Sequence, residues 1–283
     1  MEHPPLIATC WTTAGNVRAD RPDNLGRWSL PERIEAAARA GYAGTGFWLG
    51  DLRAWHEGGG TWARLRRHLA DAGQSLVELE YLADWFADGS RRTQSDAARA
   101  DLLIAAQELG ARHLKVMPPF LPDDTSGERL AGEFARLCEE AAANDLLVGL
   151  EMLPFSQLPN LAAALAMVRQ ADAANGGLLI DIWHIVRSGS AVAEVARVPA
   201  RHIIAAELCD APAAMQEPIT EDTMCRRRLC GEGAFDVAGF IAALAQAGYA
   251  GPFGVEILSD AFRRLPLDQA AQRSFATAAA QFG

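Results

Sequence analysis

Short apolar runs alternate with amphipathic helical stretches along most of the chain. This alternation predicts β-α-β units and a parallel sheet. Eight runs are predicted as strands: Leu6–Trp11, Gly44–Leu49, Leu76–Tyr81, His113–Met117, Leu147–Leu153, Leu178–Ile182, Ile203–Leu208 and Phe253–Leu258. Eight such units close into a barrel. The predicted fold class is therefore α/β, a (β/α)8 TIM barrel, with residues 1–283 forming a single domain.

The first predicted helix has clear start and stop signals. Ser29 and Glu32 form a capping-box pattern, with Pro31 in the first turn. The helix is expected to end at Ala40, because Gly41 follows it. Further helices are predicted near Trp62–Ala72, Gln94–Leu109, Gly127–Asn144 and Val237–Ala247.

An open, doubly wound sheet is the alternative fold. That fold usually carries a glycine-rich loop after its first strand. Here the first strand runs into Trp11-Thr12-Thr13-Ala14-Gly15-Asn16, which has no GxGxxG pattern. The barrel is therefore favoured. The longest irregular stretch follows the seventh strand, from Asp210 to Glu232, where a barrel of this kind often has an active-site cover.

The last four predicted strands each carry a carboxylate after three or four mostly apolar residues, namely Glu151, Asp181, Glu207 and Glu256. Functional residues of such barrels lie at the C-terminal ends of the strands. A charge within an apolar strand is costly unless it is paired or bound to a metal. Four carboxylates at one barrel mouth would repel one another, and a divalent ion would remove that repulsion. The pattern therefore predicts a metal site.

Five further residues are candidate substrate contacts. His184 follows Asp181 by three residues, and Lys115 lies in the fourth strand. Arg227 is the middle of the run Arg226-Arg227-Arg228, which would bind a phosphate or carboxylate or else be a solvated charge run. Trp11 lies at the end of the first strand and could wall a pocket, although a tryptophan there often only packs in the core. His56 follows the second strand and could reach the mouth.

Composition and charge narrow the function classes. The 283-residue chain is 50% hydrophobic and 22% charged, and its formal net charge is −10, which disfavours binding to nucleic acid. No run of about 18 apolar residues predicts a membrane span, and the start lacks the features of a secretory signal. An odd set of five cysteines favours reduced thiols, and hence a cytoplasmic protein.

The strand-end set resembles the xylose isomerase-like TIM-barrel superfamily, which includes the sugar phosphate isomerase/epimerase family, ketose 3-epimerases, 3-dehydroshikimate dehydratase and endonuclease IV. The resemblance rests on Glu151, on Asp181-Ile182-Trp183-His184, on Glu207-Leu208-Cys209-Asp210 and on Glu256. It extends to the segments Gly231–Asp236 and Gly248–Glu256. It covers nearly the whole chain.

The resemblance implies one divalent metal held by Glu151, Asp181, Glu207 and Glu256. The family usually has a histidine where this chain has Glu207, so an all-carboxylate set would favour Mn²⁺ or Mg²⁺ over Zn²⁺. The resemblance also implies that Glu151 and Glu256 move a proton next to a chelated carbonyl, and that His184 contacts the substrate. The resemblance also implies that the chain could assemble into a homo-oligomer.

These implications predict an enzyme that acts on a small sugar or polyhydroxy-keto substrate. The first expectation is a metal-dependent isomerase or epimerase of a ketose. The alternative is a metal-dependent dehydratase or lyase of the inosose or 3-dehydroshikimate dehydratase kind, which the residues do not separate from the first. An endonuclease IV-like activity is disfavoured by the charge of −10 and by the few histidines. A metal-free binding subunit is the non-enzymatic alternative, because Glu207 departs from the family pattern.

Overall fold

The computed structural model describes residues 3–21 and 24–283 and contains a closed barrel of eight parallel strands. The strands are β1 (Leu6–Ala8), β2 (Gly44–Trp48), β3 (Leu76–Leu82), β4 (His113–Val116), β5 (Leu147–Glu151), β6 (Gly176–Asp181), β7 (Ile203–Leu208) and β8 (Phe253–Val255). Each pairs with the next, and β1 pairs with β8 to close the barrel. The (β/α)8 prediction is confirmed, and all eight predicted strands are present.

Helices surround the barrel in the order expected for this fold. They are α1 (Cys10–Thr13), α2 (Leu30–Ala40), α3 (Leu49–Glu57), α4 (Trp62–Asp71), α5 (Gly89–Leu109), α6 (Gly127–Ala142), α7 (Leu161–Ala171), α8 (Ile182–Arg187), α9 (Ile219–Cys225), α10 (Val237–Gln246) and α11 (Leu267–Ala279). Between β6 and β7 only the short α8 and the 3-10 turns Val192–Arg197 and Ala200–His202 are formed. The sixth unit thus lacks a full-length helix. None of the described helices is both long and apolar enough to cross a membrane.

The predicted signals of α2 are confirmed. The Ser29 hydroxyl accepts a hydrogen bond from the Glu32 backbone N–H, and the Glu32 carboxylate accepts one from the Ser29 backbone N–H. Gly41 ends the helix with φ of 113°, a left-handed conformation that a side chain would strain. The cap therefore fixes where the chain leaves α2 and enters β2.

Alternation along the strands separates an apolar outer layer from a polar barrel interior. Leu114, Leu150 and Ile180 belong to the main apolar core, which packs the sheet against the helices. The residue that follows each of them is a buried charged side chain, as the two-residue period of a strand requires. The carboxylates thus lie inside the barrel because the outward positions of these strands are occupied by apolar side chains of the core.

Small residues in the interior make room for these charged side chains. A Cβ added at Gly254 would lie 2.9 Å from Glu207 Cγ, and one at Gly46 would lie 2.6 Å from Glu78 Oε1. Both distances are shorter than real contacts allow. Glycine is therefore required at both positions, because the side chains of Glu207 and Glu78 occupy the space that a Cβ atom would need.

Candidate active site

Four carboxylates lie at or beside the ends of four consecutive strands. Glu151 ends β5, Asp181 ends β6, Glu207 is the next-to-last residue of β7, and Glu256 directly follows β8. Asp181 is paired in register with Glu207 across β6 and β7. Each residue offers a ligand oxygen, and these oxygens lie within 4.8 Å of one another. The prediction that the strand ends bring these carboxylates together at one mouth agrees with this geometry.

Lys115 lies in the middle of the carboxylates. Its Nζ is 2.7 Å from Glu207 Oε1. It is also 3.1 Å from both Glu80 Oε2 and Glu256 Oε1. Burial alone would lower the pKa of Lys115, but the surrounding glutamates hold it well above its ordinary value. Lys115 therefore points into the barrel as a charged ammonium and is shielded from solvent.

Arg227 is the second cation within the cluster. Its Nη1 lies 2.5 Å from Asp181 Oδ2 and 3.1 Å from Glu256 Oε2. Its Nη2 donates to Thr223 Oγ1, and its guanidinium lies 5.4 Å from the ring centre of Trp183. Lys115 and Arg227 are thus two side-chain cations that already offset part of the repulsion between these carboxylates.

His184 forms a pair with Glu151. Its Nε2 lies 3.3 Å from Glu151 Oε1 and 3.7 Å from Asp181 Oδ2. Burial would raise the pKa of Glu151, but Lys115, His184 and Arg227 together lower it to about 2. Glu151 is therefore held in its ionised form, which is the form that binds a metal.

Glu207 is fully buried inside the barrel and does not lie on the rim. Neither of its oxygens receives a well-aligned hydrogen bond from the described residues, although the Lys115 ammonium is close. Burial raises the pKa of Glu207 well above its usual value, and Lys115 only partly opposes this. A buried carboxylate with free lone pairs is unfavourable unless it gains a proton or a cation.

A cavity of about 610 Å³ opens above this cluster at the barrel mouth. Its floor includes Glu80, Lys115, Glu151, His184, Arg227 and Glu256. Trp11 lies on its wall, as predicted for a residue after β1. The volume is in the range of small-molecule sites. Four of the five predicted substrate contacts therefore line one cavity.

His56 is the exception, and its predicted place at the mouth is wrong. α3 begins at Leu49, directly after β2, so His56 lies two turns along this helix. Its ring centre is 4.2 Å from that of Trp62, and its Nδ1 is 3.0 Å from the Gly60 carbonyl oxygen. His56 and Trp62 line a separate surface pocket.

The loop after β7 decides which arginine of the run 226–228 reaches the site, and it adds a threonine that the sequence did not single out. The backbone pairs Asp210 with Arg228 and Arg226 with Ser259. Arg226 and Arg228 are therefore exposed while Arg227 points inward, so that only the middle arginine reaches the site. Thr223, on α9, also lines the cavity.

The lysine count is a sequence signal that could have marked the site. Lys115 is the only lysine in the chain, where every other basic side chain apart from histidine is arginine. An ammonium is a compact charge with three donors, unlike the planar guanidinium. The single lysine thus lies where three carboxylates surround a cation.

A second buried pair lies deeper in the barrel. Glu78 and His113 face each other with 3.3 Å between Oε2 and Nε2. Burial, with the nearby charge of Glu80, raises the pKa of Glu78 well above its ordinary value. Burial also lowers the pKa of His113 to about 3. Both groups are thus favoured in their neutral forms beneath the charged layer.

Comparison with known proteins identifies relatives of the chain. The family model described as xylose isomerase-like TIM barrel matches residues 34–279. A 3-dehydroshikimate dehydratase of Pseudomonas aeruginosa is 31% identical over 242 residues, which are 84% of this chain. The chain spans only 37% of the length of that relative.

Solved structures share the fold. A xylose isomerase-like TIM barrel/4-hydroxyphenylpyruvate dioxygenase fusion protein superposes with a TM-score of 0.82 at 25% identity, over 98% of this chain and 42% of that one. D-allulose 3-epimerase from Methylomonas sp., in complex with D-allulose, superposes with a TM-score of 0.72 at 18% identity, over 100% and 98% of the two chains. The match of the family model over most of the sequence shows that the chain belongs to the xylose isomerase-like TIM-barrel family.

Proposed function

We propose that this chain is a divalent-metal-dependent lyase that removes water from a β-hydroxy ketone. The observation that carries the proposal is the convergence of four carboxylate ligands within 4.8 Å at the barrel mouth. The dehydratase relative supports the lyase alternative over the epimerase that was expected first. The D-allulose 3-epimerase is only 18% identical, and a similarity at that level supports a shared fold and not a shared activity.

The residues of the cluster fit a divalent ion. Glu151, Asp181, Glu207 and Glu256 would hold it, since oxygen ligands suit hard cations such as Mn²⁺ and Mg²⁺. Both Glu207 oxygens are buried and lack a well-aligned hydrogen bond from the described residues, although Lys115 Nζ is close to one of them, and this is the specific observation in favour of this set. When bound, the ion would polarise a substrate carbonyl and so make the neighbouring C–H bond more acidic.

The side chains on the cavity floor are suited to move the protons of an elimination. The reaction breaks a C–H bond next to the carbonyl and the C–O bond of the β-hydroxyl, forms a C=C bond, and releases water. Burial raises the pKa of Glu256 despite Lys115 and Arg227, so this carboxylate is a candidate to accept the proton. His184 also faces the cavity and is a candidate to protonate the departing hydroxyl.

The test compares wild type with Glu256→Gln after removal of metal and reloading with Mn²⁺. Glu139→Gln, at an exposed site on α6, is the matched control. With cyclic and open-chain β-hydroxy ketones, we expect ultraviolet absorbance from a conjugated enone in wild type and control. Loss of the proton acceptor is expected to slow the reaction at least about 100-fold. An epimer formed without enone would favour the isomerase, and no product with any metal would contradict both activities.

A further inference from the structure

The wall of the cavity differs sharply from its charged floor. Above the carboxylates it is built largely from apolar side chains, among them Trp11, Met117, Leu153, Phe155, Met224 and Leu258. Phe155 stacks on Phe120 with nearly parallel rings, 5.9 Å between centres. A ligand in this cavity thus contacts mostly apolar surface except at its inner end.

The ammonium of Lys115 is already paired with carboxylates of the protein. An ammonium has three N–H groups, and Nζ is surrounded by three carboxylate oxygens at 2.7 to 3.1 Å, from Glu80, Glu207 and Glu256. Moving it towards a ligand anion would leave these buried carboxylates with less compensation, which is costly.

Arg227 is held just as firmly. Its Nε donates to the Thr223 carbonyl oxygen, its Nη2 to the Thr223 hydroxyl, and its Nη1 to Asp181. The Trp183 ring covers its guanidinium. Arginine recognises a carboxylate or phosphate through two parallel N–H groups on one edge, and on each edge of Arg227 at least one donor already binds a protein atom.

The remaining charge around the cavity is negative. Glu80, Glu151 and Glu256 line the cavity, and Asp181 and Glu207 lie in the same cluster, so that five carboxylates are offset by two cations, Lys115 and Arg227. One divalent ion still leaves this set with one excess negative charge. The carboxylate of Asp20, on the rim, is paired with Arg18, which also binds Glu221. An anionic ligand would therefore meet repulsion, and the lysine and the arginine among the described lining residues are both already paired with carboxylates.

We infer that the substrate is an uncharged hydroxy ketone with an apolar body, and that carboxylated or phosphorylated analogues are excluded. This inference rests on the proposed function for the chemistry at the inner end of the cavity. The hydroxyl and carbonyl oxygens face the carboxylate floor, and the apolar part of the molecule packs against the wall. The chain thus differs from its relative in the charge of the substrate that it selects.

The test uses two probes that differ by one charge, 3-dehydroshikimate and its uncharged methyl ester. Binding to the Mn²⁺-treated protein is measured by calorimetry. We expect the ester to bind at least tenfold more tightly than the anion. In Met224→Lys, which adds a cation to the wall, this ratio is expected to fall to about one or to invert, whereas Met224→Leu retains it. The inference is overturned if the anion binds as tightly as the ester, or if neither binds.

Turnover separates this inference from the proposed function. Ester that binds but is not dehydrated would leave the substrate class intact and count against the lyase. Dehydration of the anion with a kcat/KM equal to or above that of the ester would support the lyase and overturn the substrate class. Measuring binding and enone formation on the same samples therefore tests the substrate class and the lyase activity independently.

Discussion

Lys115 Nζ lies 2.7 Å from Glu207 Oε1 in the middle of the barrel, with both side chains almost fully excluded from solvent. The lysine comes from β4 and the glutamate from β7, so this contact crosses the barrel interior. Glu207 occupies the strand position at which the family resemblance implies a histidine ligand. Glu207 thus contacts the lysine that offsets the negative charge of the site and also belongs to the four carboxylates proposed to bind the metal.

Removing the cation should destabilise the fold. Lys115→Met leaves the carboxylates of Glu80, Glu207 and Glu256 with less compensation in the barrel. Breaking a buried ion pair in this way typically costs about 3–5 kcal/mol, and we expect a loss of that size in the free energy of unfolding. Mn²⁺ should restore part of it, because the ion supplies positive charge to the same carboxylates. Urea denaturation with and without Mn²⁺ measures both effects.

Lys115→Arg is the informative companion variant. The guanidinium is larger and planar, so it is expected not to satisfy three converging carboxylates, and it should also lose stability. A Lys115→Arg protein as stable as wild type would show that any cation suffices. Equal stability of Lys115→Met and wild type would contradict the charge balance described for the site.

The identity of residue 207 should set the metal preference. Glu207→His restores the imidazole that the family resemblance implies and reduces the carboxylate count at the site. We expect the variant to retain a metal ion but to shift its selectivity from Mn²⁺ towards Zn²⁺. Competition titrations with both ions on wild type and variant measure the ratio of affinities. An unchanged ratio would mean that Glu207 is not a ligand.

His113 should make the protein more sensitive to acid. Burial, with Arg112 and Lys115 nearby, lowers the pKa of His113 from 6.5 to about 3. A base whose pKa is lowered by folding contributes its full stability only above the unfolded pKa, and this contribution is lost as the pH falls towards the folded pKa. The stability difference between wild type and His113→Gln should therefore be constant above pH 6.5. Below it, the difference should shrink by up to about 1.4 kcal/mol per pH unit.

Glu78 provides a control, because the pH dependence of its contribution to stability has the opposite sign to that of His113. Its pKa is raised above 4.5, so its contribution is present at low pH and is lost as the pH rises through and beyond that value. Urea denaturation of wild type, His113→Gln and Glu78→Gln across the acidic and neutral range measures both trends. A pH-independent difference for His113→Gln would show that this histidine is not held neutral by folding.

Asp210 should be essential for the loop after β7. Its carboxylate accepts hydrogen bonds from the backbone N–H groups of Ala211, Gly231, Gly233 and Phe235. Asp210→Ala is expected to lower the free energy of unfolding by about 3 kcal/mol, because buried bonds to a charged group are lost. The exposed Glu139→Ala serves as control, with a change below about 0.5 kcal/mol expected. Equal effects of the two variants would contradict this role.

The sequence predicted most of the fold because hydrophobic alternation is a local property. Glu151 and Asp181 could be placed at the site because each ends an apolar strand. The inward direction of Arg227 could not be predicted, since it depends on pairing of the flanking arginines with Asp210 and Ser259. His56 was misplaced because the immediate start of α3 after Trp48 leaves no loop to carry it to the mouth.

The central claim is that the strand-end carboxylates bind one divalent ion, and the most direct test is the number of Mn²⁺ ions bound per chain. Wild type, Asp181→Asn and the exposed control Glu139→Gln are stripped with chelator, dialysed against Mn²⁺ and measured by elemental analysis. We predict about one ion per chain in wild type and control, and a clear loss in Asp181→Asn. No bound Mn²⁺ in wild type, or the same amount in Asp181→Asn, would contradict the claim.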